Sequence, residues 1–140
     1  MRERFPEKYI GHGDFVLHSG QHSEIFYDAR ALFDDPEWRD YILKQIPESP
    51  HYVGIKTGGA EIAWQAHLKN PRSLVSFIEK DGRMNGIFPF SDYLLLDDII
   101  TTEDSLAKAI KDIGLNPQEI RVIMDRRQIK NLKVTSIFEL

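Results

Sequence analysis

The chain has 140 residues, 41% of them hydrophobic, no cysteine, and a formal net charge of −4. That length supports one sizeable core, read here as a single domain over 1–140, and the missing thiols exclude disulfides and fit a reducing, cytoplasmic setting. The acid balance disfavours a nucleic-acid partner, and no segment approaches the ~20 apolar residues that span a bilayer, so a soluble protein without membrane contact is expected.

Taken in chain order, Phe15-Val16-Leu17 and Ile25-Phe26-Tyr27 are apolar runs on either side of the polar turn Ser19-Gly20-Gln21-His22-Ser23 and predict an early strand pair. Asp35-Pro36-Glu37 predicts a helix start, with Trp38, Tyr41, Ile42 and Ile46 at helical spacing and a stop near Pro47. Strand and helix then alternate. Tyr52 to Ile55, Leu74 to Ile78 and Tyr93 to Leu96 read as strands, and Ala60 to Leu68 as a helix. Ser105 to Ile113 reads as a helix stopped by Gly114, followed by strands over Ile120 to Met124 and Val134 to Phe138. The fold class expected is α/β, with a central parallel sheet flanked by helices. The strand pair would form a small hood within 1–50, over an α/β core at 51–140.

The segment from Tyr93 to Ser105 carries the most chemistry. A buried strand delivers Asp97 and Asp98 to its carboxyl end, and the hydroxyl-rich turn Thr101-Thr102-Glu103-Asp104-Ser105 then opens a helix whose free amides suit an anion. Such an order fits a sugar phosphate: carboxylates for ribose hydroxyls and developing positive charge, a turn for the phosphate. As ordinary structure, the same turn would be capped by the Thr101 hydroxyl and the Asp104 carboxylate. The histidines at 12, 22, 51 and 67 show no metal-ligand spacing, and no protein ligands for a metal are assigned.

This stretch resembles the phosphoribosyl-pyrophosphate motif of type I phosphoribosyltransferases, an apolar strand, paired acids and a TTGGS-like loop. Further segments resemble the orotate phosphoribosyltransferase family. Leu17-His18-Ser19-Gly20, followed by Phe26 and Tyr27, is similar to its amino-terminal region, and Val53-Gly54-Ile55-Lys56-Thr57-Gly58-Gly59-Ala60 to its pyrophosphate loop. Asp125-Arg126 resembles the strand end whose arginine approaches the base. The resemblance implies Mg²⁺-dependent transfer of a phosphoribosyl group from phosphoribosyl pyrophosphate to orotate or a related pyrimidine, in a homodimer. It also implies roles. Lys80, Asp97 and Asp98 would be catalytic. Thr57, Gly58, Gly59, Arg83 and the Thr101 to Ser105 turn would hold phosphates, and His18, Phe26, Tyr27 and Arg126 would meet the base.

Departures from the family pattern set up an alternative. Glu79-Lys80-Asp81-Gly82-Arg83-Met84-Asn85-Gly86 stands where the family has a longer basic arm, with Glu79 in place of arginine. His18 replaces a lysine, and Glu103 replaces a glycine beside the expected phosphate. These changes remove or oppose positive charge, so the alternative is a phosphoribosyltransferase-fold protein that binds or senses nucleotide with impaired catalysis.

Overall fold

The computed structural model describes residues 2–17 and 19–140. Strands β1 (Ile10–Val16) and β2 (His22–Tyr27) form an antiparallel pair, longer toward its amino end than the apolar runs suggested. Two helices follow. α1 (Ala29–Asp34) is capped by the Asp28 carboxylate, which accepts from the Ala31 amide at 3.0 Å, and α2 (Pro36–Lys44) by Asp35 with proline at its first turn. The first of these helices was not anticipated from the sequence.

The rest alternates as expected: β3 (His51–Ile55), α3 (Gly58–Lys69), β4 (Leu74–Ile78), β5 (Met84–Asn85), β6 (Leu94–Ile100), α4 (Asp104–Ile113), β7 (Glu119–Asp125) and β8 (Thr135–Ser136). These strands make one sheet in the order β5-β4-β3-β6-β7-β8. All neighbours are parallel except β5, which pairs antiparallel with β4 at the edge, so the sheet is mixed rather than wholly parallel. The last strand shrinks from the expected Val134–Phe138 to two residues, although the Ile137 and Phe138 amides still donate to the Val122 and Ile123 carbonyls of β7 and both side chains are buried in the core.

Both faces of the sheet are covered. On one, Ile62, Ala63 and Ala66 of α3 and Leu32, Phe33, Ile42 and Leu43 of α1 and α2 pack with Tyr52, Leu94 and Leu96. On the other, Leu106 and Ala109 of α4 pack with Val53, Leu95 and Val122. Phe5 joins the first cluster, its ring 5.5 Å from that of Phe138, so the residues before β3 share a core with the sheet. α4 ends at Gly114, whose φ of 79° suits glycine at a left-handed stop.

One feature of the ladder positions the site. From β3 the chain crosses outward through α3 to β4, and from β6 through α4 to β7, so the direction of winding reverses between β3 and β6. The β3–β6 ladder closes at the Gly54–Leu96 pair, whereas β6 runs on beside β7 as far as the Ile100–Asp125 pair. A cleft opens between the adjoining strand ends, where open α/β sheets bind ligands. Asp97 and Asp98 sit at its mouth. They lie inside β6 rather than beyond it, since the strand continues past the expected Leu96 end while losing only its β3 neighbour.

Candidate active site

Backbone on backbone forms the floor of the cleft. A Cβ at Gly54 would strike the carbonyl of Gly59, and one at Gly59 would strike the carbonyl of Leu96, so β3, the start of α3 and β6 touch without side chains between them. A Cβ at Gly58 would overlap the Asp98 carboxylate. The Thr57-Gly58-Gly59 turn and the acidic pair are therefore direct neighbours, although some forty residues of chain separate them. The Lys56–Thr57 peptide leading into this turn is cis.

The carboxylates differ. Asp97 is 9% exposed, and burial, with the adjacent Asp98 charge adding to it, pushes its carboxyl well above the usual range. One oxygen of Asp97 accepts from the Asp98 amide at 2.9 Å. Asp98 is partly exposed and lies against the glycine turn, where it can meet hydroxyls or a cation. Beside it, Lys56 pairs with Glu79 at 3.7 Å, and Glu79 also pairs with Arg83 at 3.2 Å. Arg83 further grips Asp81 at 2.8 Å, whereas Lys80 is exposed with no ion pair among the described residues.

Beyond Asp98 the strand leads into a cavity of about 510 Å³. Thr101, Thr102, Glu103 and Asp104 line one wall, Leu17 and Gln21 to Ser23 a second, and Arg126, Gln128, Ile129 and Asn131 a third. Ser105 is exposed in the first turn of α4. The expected side-chain caps on this turn are not made. Glu103 is the N-cap residue and its side chain bonds no α4 amide, while Thr102 Oγ1 approaches the Asp104 amide only at 3.5 Å. A helix start left open in this way presents its amides to an anion.

Glu103 itself turns aside. One carboxylate oxygen accepts from the amides of Asn131 at 2.6 Å and Leu132 at 2.8 Å, and from the Arg127 guanidinium. The Leu132 amide is foremost in holding the Glu103 carboxyl below its ordinary value. Glu103 therefore does not aim its charge at a phosphate on the turn, as its position in the sequence had suggested. Arg127, with its side chain 2% exposed, also forks onto Asp125 at 2.8 and 2.9 Å.

Arg126 is the arginine that faces the cavity. Its guanidinium lies 4.9 Å from the Tyr27 ring centroid and donates to Ser23 Oγ at 3.2 Å. Tyr27 supports it from behind and packs against Phe5. Phe26 points to the other face of the strand and stacks on Phe15 at 5.3 Å, because adjacent strand residues alternate sides. Neither aromatic lines the cavity, and they do not bracket a common space. His18 lies outside the described residues. Gln128, Ile129, Asn131 and Lys56 were not singled out from sequence; only Lys56 carried a signal, as a cation directly before the glycine turn.

A glycine turn against an acidic strand end, an open hydroxyl-rich helix start and a cleft at the sheet's reversal are the parts that a sugar phosphate requires. No family model matches the chain. Orotate phosphoribosyltransferase of Saccharolobus solfataricus is 32% identical over 130 residues, covering 83% of this chain and 67% of that protein. The chain belongs to the orotate phosphoribosyltransferase family. The crystal structure of the Aeropyrum pernix orotate phosphoribosyltransferase matches with a TM-score of 0.72 at 26% identity, over 85% of this chain and 77% of that one. Adenine phosphoribosyltransferase from Saccharomyces cerevisiae shares the fold, with a TM-score of 0.67 at 15% identity over 94% of this chain and 95% of that one.

Proposed function

We propose that the protein transfers a phosphoribosyl group from phosphoribosyl pyrophosphate to orotate or a related pyrimidine, giving the nucleotide and pyrophosphate. The observation that carries this reading is the contact of the Thr57-Gly58-Gly59 turn with Asp98 at one end of the cleft, with Arg126 and the open α4 start at the other. The 5′-phosphate lies on the Thr101 to Ser105 turn, diphosphate on the glycine turn, and the base toward Arg126, whose fixed charge suits a carboxylated pyrimidine. As the bond from C1′ to the pyrophosphate oxygen breaks and the bond to the base nitrogen forms, the nitrogen's proton passing to the departing pyrophosphate or to water, Asp98 steadies positive charge on the ribose. Asp97, buried and biased toward its neutral form, keeps the strand in place and can donate a hydrogen bond to the sugar. Lys80 and Arg83 approach the departing pyrophosphate, in a homodimer from the neighbouring subunit.

Mg²⁺ fits the donor set. Among the described residues no group of three or more His, Cys, Asp or Glu forms a protein cage, and Mg²⁺ characteristically uses one or two carboxylates plus substrate phosphates. Asp98 would hold it, and the ion would offset charge on the diphosphate.

A second reading, a nucleotide-binding protein with impaired transfer, draws on the Lys56–Glu79–Arg83 pairing, which matches cations near the glycine turn with internal acids. Calorimetric titration with phosphoribosyl pyrophosphate, orotate and orotidine monophosphate, with and without Mg²⁺, tests both readings beside a turnover assay. Binding of substrates with turnover supports transfer; nucleotide binding without turnover supports the second reading; no binding of any refutes both.

A further inference from the structure

The loop from 128 to 132 forms one wall of the cavity, yet among the described residues its backbone makes no hydrogen bond to another backbone group. Among the described residues its hydrogen-bonded fixed points are the Asn131 and Leu132 amides, both held by Glu103, and the Leu132 carbonyl, which accepts from Arg127 at 2.9 Å. Gln128, Ile129 and Asn131 are exposed, Ile129 75% so, and of this loop only Leu132 packs against the core cluster beneath α4. Glu103, meanwhile, is part of the turn that opens α4 on the opposite wall.

We infer that Glu103 is a positioning residue, a latch that sets the distance between the phosphate turn and the base-side wall of the cavity. The inference rests on the proposed function for the identity of the ligand and goes beyond it for the role of this side chain. A nucleotide that places its phosphate on Thr101 to Ser105 and its base near Arg126 spans the two segments that Glu103 joins. The carboxylate is suited to the task. A single oxygen bonds two amides and a guanidinium, and charge-assisted bonds are stronger than neutral ones. Releasing it leaves the α4 amides where they are and frees the opposite wall. The loss should therefore fall on ligands that carry a base and spare those that are phosphate alone.

Two variants and two readouts test this on the full chain. Amide hydrogen exchange in the unliganded protein should speed up by about tenfold or more at Asn131 and Leu132 in Glu103→Gly, the scale of losing a hydrogen bond to a charged group, while β6 and β7 amides stay protected. Calorimetry should find orotidine monophosphate about tenfold weaker and inorganic phosphate changed by less than about threefold. Glu103→Gln keeps the acceptor and the reach of the side chain, so it should recover part of both losses; it also serves as the test variant if the glycine form does not fold. Unchanged exchange at Asn131 and Leu132 overturns the latch. Equal losses for nucleotide and phosphate overturn the positioning role, since Glu103 would then act at the phosphate itself. A wild-type protein that binds no nucleotide overturns the proposed ligand, and the exchange at these amides still decides the latch.

Discussion

Replacing Arg127 by alanine should be among the most damaging single changes in this chain, although the residue stands beside a cavity-facing arginine and resembles it in sequence. Its guanidinium side chain is 2% exposed and joins Asp125 and Glu103, whose side chains are 9% and 15% exposed. Removing one partner of a buried ion pair costs about 3–5 kcal/mol, because the charge left behind is neither paired nor hydrated. Glu103 keeps its bonds to the Asn131 and Leu132 amides, so the lower end, about 3 kcal/mol, is expected at pH 7. The pH dependence follows from the same contacts. Burial works to raise the Asp125 carboxyl but the Arg127 hydrogen bonds hold it below its ordinary value, and Glu103 is likewise depressed, chiefly by the Leu132 amide. Groups depressed in the folded state add stability above their unfolded pKa, roughly 4, and lose it as pH falls through the folded value. Urea unfolding of wild type and Arg127→Ala from pH 7 down to pH 3 should show the gap narrowing with acid. A loss under about 1 kcal/mol at pH 7, or a gap that widens with acid, would refute the buried-network reasoning.

Arg126→Ala should behave oppositely, weakening orotate or its nucleotide by about 1.5–3 kcal/mol in calorimetry while urea unfolding shifts by less than about 0.5 kcal/mol. Asp97→Asn should raise the melting temperature at pH 7, because burial makes the ionised carboxylate unfavourable and Asn keeps the acceptor for the Asp98 amide; the gain should vanish as acid protonates the wild-type group. Gly59→Ala should destabilise by about 1–3 kcal/mol in the same unfolding assay, since the added carbon meets the Leu96 carbonyl and the Asp97 backbone, neither of which can swing aside as a side chain could.

The parallel core was legible because its strands are short apolar runs, such as Val53 and Ile55 or Leu94 to Leu96, set between helices with visible stops. α1 was passed over although its signal was present, Asp28 as a cap ahead of Leu32 and Phe33. The strand carrying Asp97 and Asp98 was cut short because two adjacent acids look like a boundary; only the β7 ladder shows that Ile99 and Ile100 continue it. The proximity of the glycine turn to the acids followed from strand-end logic, and the sheet supplies the contact. Phe26 and Tyr27 were expected to meet the base together, whereas adjacent strand residues alternate sides and the structure separates them. Glu103 could not have been read correctly, since its partners lie more than twenty residues onward in a loop without a pattern. Sequence placed its charge near the phosphate, whereas the fold neutralises that charge in a buried network.

The pairing around Glu79 has a consequence for how the protein meets a polyanion at a distance. Lys56, Arg83, Glu79 and Asp81 contribute two charges of each sign within one connected cluster, so their far field largely cancels. Beside this cluster the exposed Lys80 is the one charge of this segment left for added salt to screen, among the described residues. The rate at which a phosphorylated ligand finds this end of the cleft should therefore vary only shallowly with ionic strength, with diffusion and shape, rather than electrostatic steering, governing the encounter.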